Sequence, residues 1–456
     1  MVGKYRRAGA LVSAGAVVFG ALAFTAGTQA QAQEPVVDEV AKSNGLSEQQ
    51  LRDTLAHDKT ARLDRTGRLY FREPALTTAQ KAHEVSPRWA TTAAVAAEGP
   101  AFELHSKPGA TKVIYLDFDG HNLTGTAWNV DKGIDPVNVS AYDTDGNAAV
   151  FSTAEQDVVH EVWARVAEDY SAFDVDVTTQ QPAQDAINRT GAADQQYGTR
   201  VLIDPDTWYQ SSCGCGGIAY IGIYDNPDQH DYYQPALVFT KGVGTGAKNL
   251  AEAASHEAGH NVGLGHDGTA SVGYYEGHGA WAPIMGVGYY RGISQWSNGQ
   301  YAGANNPEDD FALINSHGLA LRTDEAGDTT AAAAALTLGT PATGFIAAET
   351  DTDVYRLNIT TAGNYTATAS GAALGGNLDI KLDLLNSAGT VVTTADPASG
   401  QTDAGTPIGL AATVTSNLQP GTYYLRIDNV GYGDPLNTGY STYGSRGGYS
   451  LAINPS

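Results

Sequence analysis

Four residues able to do chemistry share one short stretch, His256-Glu257-Ala258-Gly259-His260-Asn261-Val262-Gly263-Leu264-Gly265-His266-Asp267. The alanine-rich run 247–255 leads into it without Gly or Pro and predicts a helix, so His256 and His260, at i and i+4, project from one face. Two imidazoles so placed can close on one metal ion. A continued helix would carry His266 away around the axis. Gly263 resolves this, because a glycine can adopt φ > 0, end the helix and turn the chain back so that His266 becomes a third nitrogen ligand. Three protein ligands leave a fourth position open, the arrangement of a catalytic zinc and not of a closed structural one. Glu257 stands beside the first ligand and is placed to take a proton from water on that ion, whose pKa the ion lowers to about 7.

The elements that must hold this stretch are legible around it. Residues 112–118 predict a strand. Ser152-Thr153-Ala154-Glu155 has the form of a capping box, and Val159, Val162, Trp163, Val166 and Tyr170 recur behind it at helical spacing. Strand-like runs follow at 175–179, 200–203, 218–224 and 236–240, before the histidine-bearing helix. Asn306-Pro307-Glu308-Asp309-Asp310 offers a cap, a proline at the first helical position and acids in the first turn, predicting a helix that ends near His317-Gly318.

Apart from the initiator, Met285 is the only methionine, in Pro283-Ile284-Met285-Gly286. With His256, Glu257, His260, Gly263 and His266 it resembles the metzincin signature H-E-x-x-H-x-x-G-x-x-H followed by a Met-turn. The details, including Asp267 directly after the third histidine, are most similar to the reprolysin (adamalysin-type) zinc endopeptidases. The resemblance implies an α+β catalytic domain, a mixed sheet with an active-site helix, over 101–323. It implies one catalytic Zn2+ on His256, His260 and His266, Glu257 as general base and acid, and Met285 as an apolar floor beneath the histidines. Where some metzincins carry a tyrosine two residues past the Met, this chain has Val287.

The totals fit a secreted protein of two or three domains. A net charge of −24 excludes partners that are themselves polyanions, nucleic acid and anionic membrane surfaces. Lys4, Arg6 and Arg7 ahead of an apolar Ala/Gly-rich run, with Ala30-Gln31-Ala32 beyond it, read as a signal peptide over 1–32, leaving no membrane segment after its cleavage. Residues 33–100 turn polar and read as a propeptide, with a capping box at Ser47-Glu48-Gln49-Gln50 and an exposed link over 91–100. It has no cysteine, so any group that blocks the zinc in a zymogen is a carboxylate or a histidine such as His57 or His83.

Residues 324–339 read as a linker, and 340–456 as an all-β sandwich with strands at 353–359, 364–368, 379–385, 422–428 and 449–453. Asp351-Thr352-Asp353-Val354-Tyr355 and Leu418-Gln419-Pro420-Gly421-Thr422-Tyr423-Tyr424 resemble the bacterial pre-peptidase C-terminal domain. Cys213 and Cys215 are close enough for a short disulfide that shapes a loop beside the cleft. Asp143-Thr144-Asp145-Gly146-Asn147 reads as a solvated turn, since it lacks the later ligands of an EF-hand, and His278 as a loop histidine. A structural Ca2+ is the one further cofactor left open. The expected partners are protein or peptide substrates lying extended on an edge strand at 218–224, and the expected state is a monomer. The rival reading is a secreted binding or adhesion protein with a vestigial zinc site.

Overall fold

The computed structural model describes residues 37–82 and 100–456, so the signal peptide, His83 and residues 91–99 of the link lie outside the described residues. The central element is a seven-stranded mixed sheet of β1 (Ala61–Leu63), β2 (Leu69–Pro74), β3 (Lys112–Asp117), β4 (Asp176–Thr178), β5 (Tyr197–Asp204), β6 (Cys215–Tyr220) and β7 (Ala236–Phe239). Its order is β1-β2-β6-β7-β5-β3-β4. The β4, β3, β5 and β7 strands run parallel; β6 turns antiparallel to β7, and β2 antiparallel to β6.

Every residue of β5 is buried, because the sheet is covered on both faces. Val201 and Ile203 face two long helices, α3 (Thr153–Asp169) and α4 (Ala247–Asn261), reaching Val159, Val162, Leu250, Ala254 and Ala258. Leu202 faces the other way, toward Trp128, Tyr209, Tyr220 and Phe239. The α3 helix begins as its capping box requires, with Ser152 Oγ accepting from Glu155 N while the Glu155 carboxylate accepts from Ser152 N. Trp163 packs at the margin of the predicted stripe, half-buried, and donates to the Val177 carbonyl.

The final helix of this region, α5 (Asp310–Ser316), starts later than its sequence suggested. Asp309 is the cap, accepting from Ala312 N, and Asn306 instead closes a turn by accepting from Glu308 N. The carboxylate three residues before Ala312 displaces the amide farther upstream because it meets a free amide at the correct turn.

The predicted propeptide has more structure than its single capping box indicated. Besides α1 (Val37–Ser43) and α2 (Glu48–His57), it contributes β1 and β2 to the central sheet. Val40, Leu51, Leu69 and Phe71 form a small core with Ile221. The expected substrate edge is therefore β6, ending at Tyr220, and β2 already occupies it.

The sandwich has two sheets. One contains β8 (Ala334–Ala335), β10 (Thr352–Ile359), β15 (Gly421–Asn429), β12 (Ile380–Leu385) and β13 (Val391–Ala395) in that order. The other contains β9 (Ala342–Ile346), β16 (Gly447–Pro455), β11 (Gly363–Gly371) and β14 (Ala412–Leu418). Alternate residues Leu357, Ile380, Leu382, Leu425, Ile427 and Leu451 fill the space between them. The predicted linker ends early, since Ala334 and Ala335 pair with β10.

The sandwich shares one compact unit, Val37–Ser456, with the rest. Arg446 lies over the Phe311 ring at 3.6 Å, and Tyr443 Oη donates to Asp309 at 2.6 Å. Asn377 Nδ2 donates to Asp169 at 3.0 Å, and Asp169 accepts in turn from Ser255 of α4 at 2.5 Å. Among the described residues, no helix is long and apolar enough to cross a membrane.

Glu168 is buried in this contact, and that burial raises it from an ordinary 4.5 to about 8. The folded state thus holds a proton that the unfolded chain releases. The resulting stability is complete below the unfolded value and is lost as pH climbs through the folded one. Glu168→Gln, neutral at every pH, is expected to flatten the fall in Tm between about pH 5 and about pH 9. Thermal unfolding across that range checks it; a wild-type Tm without an alkaline slope contradicts it.

Candidate metal centre

The histidine-bearing helix is held at its middle and at its C-terminal end. Ser255 Oγ donates to Asp169 on α3, and at the C-terminal end Asn261 accepts from Thr199 of β5 and donates to the Tyr220 carbonyl of β6. Beyond Asn261 the helix closes with Leu264 N bonded to Gly259 O and Gly263 N to His260 O, with Gly263 at φ 95°. These two bonds make a Schellman motif, which needs a left-handed residue at this position. A Cβ on residue 263 would also collide with His317, whose Nδ1 is fixed by Asp225 at 2.7 Å. The chain turns there and brings His266 back to the helix.

The three imidazoles converge. His256 Nδ1 donates to the Ile284 carbonyl at 2.9 Å and His260 Nδ1 to the Leu264 carbonyl at 2.8 Å. A carbonyl only accepts, so in the neutral rings these bonds leave the lone pairs on Nε2. His266 Nδ1 faces an Asp58 carboxylate oxygen at 2.5 Å. The Nε2 atoms of His260 and His266 stand 3.1 Å apart, and that of His256, buried, has no hydrogen-bond partner among the described residues. Converging lone pairs repel unless a cation or a proton lies between them. This donor set fits zinc, with each ring oriented through its other nitrogen as metal-bound imidazoles are. Burial pushes His256 down to about 3, keeping it in the neutral form that ligation requires.

A fourth group reaches the same point. One ligand atom from each of Glu73, His256, His260 and His266 lies within 4.8 Å of the others. Glu73 Oε1 is 3.0 Å from His266 Nε2 and 3.4 Å from His260 Nε2, and Oε2 is 3.7 Å from His256 Nε2. His57, offered by the sequence as a blocking residue, is exposed, and its Nδ1 meets the Asp53 carbonyl instead. At the histidines the structure places a carboxylate, Glu73, while His83 lies outside the described residues.

Glu257 lies against β6, where a Cβ on Gly217 would overlap its carboxylate. Gly217 is the register partner of Glu73, so the two acids meet across the ladder. Burial, then the Glu73 charge, raises Glu257 well above the ordinary carboxylate range. Met285 is fully buried in the core with Ala258 and Leu264, and its carbonyl accepts from Asp267 N at 2.9 Å. Tyr289 and Tyr290 are both half-buried, and Glu257 is among the charges acting on Tyr289. Cys213 and Cys215 are joined, at the mouth of β6.

Asp58, Glu73 and Tyr274 were absent from the sequence reading. Tyr274 covers His266, ring centroids 4.3 Å apart, and donates to Thr60 at 2.9 Å. The one usable signal was Leu69-Tyr70-Phe71-Arg72-Glu73-Pro74, a β-forming run ended by proline with a single acid in it. His278 bridges to the sandwich through the Gly439 carbonyl at 2.7 Å. Two acidic groups also gather among the described residues, Asp143 with Asp145 and Glu155, and Asp324 with Asp351 and Asp353. In the first, Asp143 accepts from the amides of Asp145, Gly146 and Asn147, as a turn does.

Comparison with known proteins defines the class. Residues 144–267 match the model of the M12B reprolysin-like metallopeptidase family, and residues 351–429 match the bacterial pre-peptidase C-terminal domain. The chain therefore joins a reprolysin-like metallopeptidase domain of mixed α+β fold to an all-β pre-peptidase C-terminal domain. No curated protein matches it. Among solved structures, the pre-peptidase C-terminal domain of a Bacillus anthracis collagenase is 19% identical, spanning 29% of this chain and 97% of its own, with a TM-score of 0.20. Aeromonas hydrophila PliG, a periplasmic inhibitor of g-type lysozyme, is 13% identical over 26% of this chain and 92% of its own, with a TM-score of 0.18.

Gly217→Ala forces the Glu257 carboxylate away from β6 without touching a histidine. Peptide turnover is expected to fall by roughly 10²-fold while zinc content stays at the wild-type level. Atomic absorption beside a peptide assay reads both; unchanged turnover contradicts the assigned position of Glu257.

Proposed function

We propose that this protein is a secreted zinc-dependent endopeptidase, made as a zymogen and hydrolysing peptide bonds in extracellular proteins. The observation that carries the reading is the convergence of three buried imidazole lone pairs beside a raised glutamate, Glu257. In this reading His256, His260 and His266 hold the ion and Met285 is the apolar floor under them. A zinc ion bound there supplies a Lewis acid and lowers the pKa of water to about 7.

Glu257 takes the proton of the attacking water and returns it to the departing amine. An extended substrate pairs with β6 at the edge now held by β2, backbone to backbone, which aligns it without demanding a sequence. Secretion is supported by the basic start and apolar run of residues 1–32, and a removable segment over 33–100 by its polar composition. A structural Ca2+ has carboxylates to meet it at Asp324, Asp351 and Asp353, where buried Asp353 Oδ1 has no partner among the described residues.

His266→Ala is expected to lose zinc, because it removes a coordinate bond. Glu257→Ala is expected to keep zinc and lose about 10²–10⁴-fold in turnover. Metal analysis beside chelator-sensitive casein cleavage separates the two, and full turnover in Glu257→Ala would overturn the assignment. A chain that binds its zinc without cleaving casein after processing would favour the adhesion reading. The amino terminus of active secreted material is expected beyond residue 90; sequencing that begins at Gln33 contradicts the propeptide.

A further inference from the structure

The N-terminal segment enters the metal centre twice, at positions far apart on its own chain. In β2, Glu73 sits where the ladder with β6 shifts register, between Glu73 and Pro74. Such an irregularity re-aims a side chain, and here the carboxylate spans the three rings, Oε1 toward His260 and His266 and Oε2 toward His256. Asp58 is the C-cap residue of α2, and its other oxygen is fixed by the Thr60 amide and hydroxyl at 2.8 and 2.6 Å. Thr60 in turn receives the Tyr274 hydroxyl, whose ring covers His266.

The asymmetry among the histidines is informative. His256 and His260 are oriented by carbonyls of the metallopeptidase domain itself, at Ile284 beside Met285 and at Leu264 within the motif. His266 is oriented by Asp58, on the segment expected to be removed.

We propose that Glu73 is the fourth ligand of the ion in the unprocessed chain and that Asp58 is a positioning residue for His266, so that the N-terminal segment both closes the site and tightens its hold on the metal. The proposal rests on the zinc-endopeptidase reading. Four protein ligands make a closed site with no position left for water, which is the coordination of a structural zinc. Removing the segment then does two things together: it opens the fourth position and frees the edge of β6 for an extended peptide, and it withdraws the carboxylate that aims His266. The unprocessed chain thus acts as the form in which metal is loaded and retained, and the processed chain as the form that works with a weaker grip.

The test uses the full-length chain, loaded with Zn2+ or with Co2+ as a spectroscopic substitute, and measures the loss of metal to a competing chelator. Glu73→Gln and Asp58→Asn are each expected to weaken metal affinity by roughly 10–100-fold, the usual cost of losing a group that supports a metal site. Glu73→Asp should recover part of the loss, and His57→Ala, at an exposed residue outside the site, should change nothing. The Co2+ absorption bands should change on Glu73→Gln, because a ligand is exchanged. Equal retention and identical bands in wild type and Glu73→Gln, with near-UV circular dichroism unchanged, would overturn the fourth-ligand assignment, and equal retention in Asp58→Asn would overturn the positioning role. A wild type that takes up neither metal would overturn the underlying zinc reading as well, which distinguishes that failure from the proposal's own.

Discussion

Imidazole nitrogens brought to within 4.8 Å of one another, with their lone pairs turned inward, repel, and much of the surrounding structure serves to hold them there. Two of the rings stand 3.1 Å apart at their Nε2 atoms with only acceptors around them. The opposing forces are local and directional. Each ring is fixed through its Nδ1, and the helix beneath is fixed through Ser255 and Asn261 to a neighbouring helix and to the sheet. Such an array needs a cation or a shared proton between the rings, and the donor set fits a metal.

The same constraint explains why the three regions form one unit. The α4 helix is buried along its length, so any element that moves α3 or β6 moves the histidines. The C-terminal sandwich touches α3 at Glu168 and Asp169, and Asp169 bonds the residue just before His256. The N-terminal hairpin touches β6 directly across from Glu257. A buried acidic side chain stands at each contact, Glu168 on one side and Glu73 on the other.

Local reasoning succeeded where a few adjacent residues decide the outcome. The capping boxes at Ser47 and Ser152 start their helices as read, and Gly263 turns the chain at φ 95°. The helix-start signal at Asn306 misled because Asn306 binds the Glu308 amide in a turn while Asp309 caps the Ala312 amide, and the choice depends on where the following residues are packed. Residues 69–74 have strand-forming character, but nothing in them names a partner. The strand at 391–395 went unread because its alternation is weak, and it is held mainly by neighbours.

By itself the sequence determined the donor set and its spacing: imidazoles four residues apart on a helix, a glycine to break it, a third imidazole after the turn, and a glutamate beside the first. These are consequences of covalent spacing and helical periodicity, so no tertiary knowledge is needed. Only the tertiary structure decided which other groups meet them. Glu73 is 193 residues and Asp58 208 residues from His266 along the chain, and both arrive through pairing at a sheet edge. An exposed edge presents the same backbone donors and acceptors to any strand, so which strand binds it, and which side chain that strand delivers to the metal centre, is settled by the packing of the whole fold.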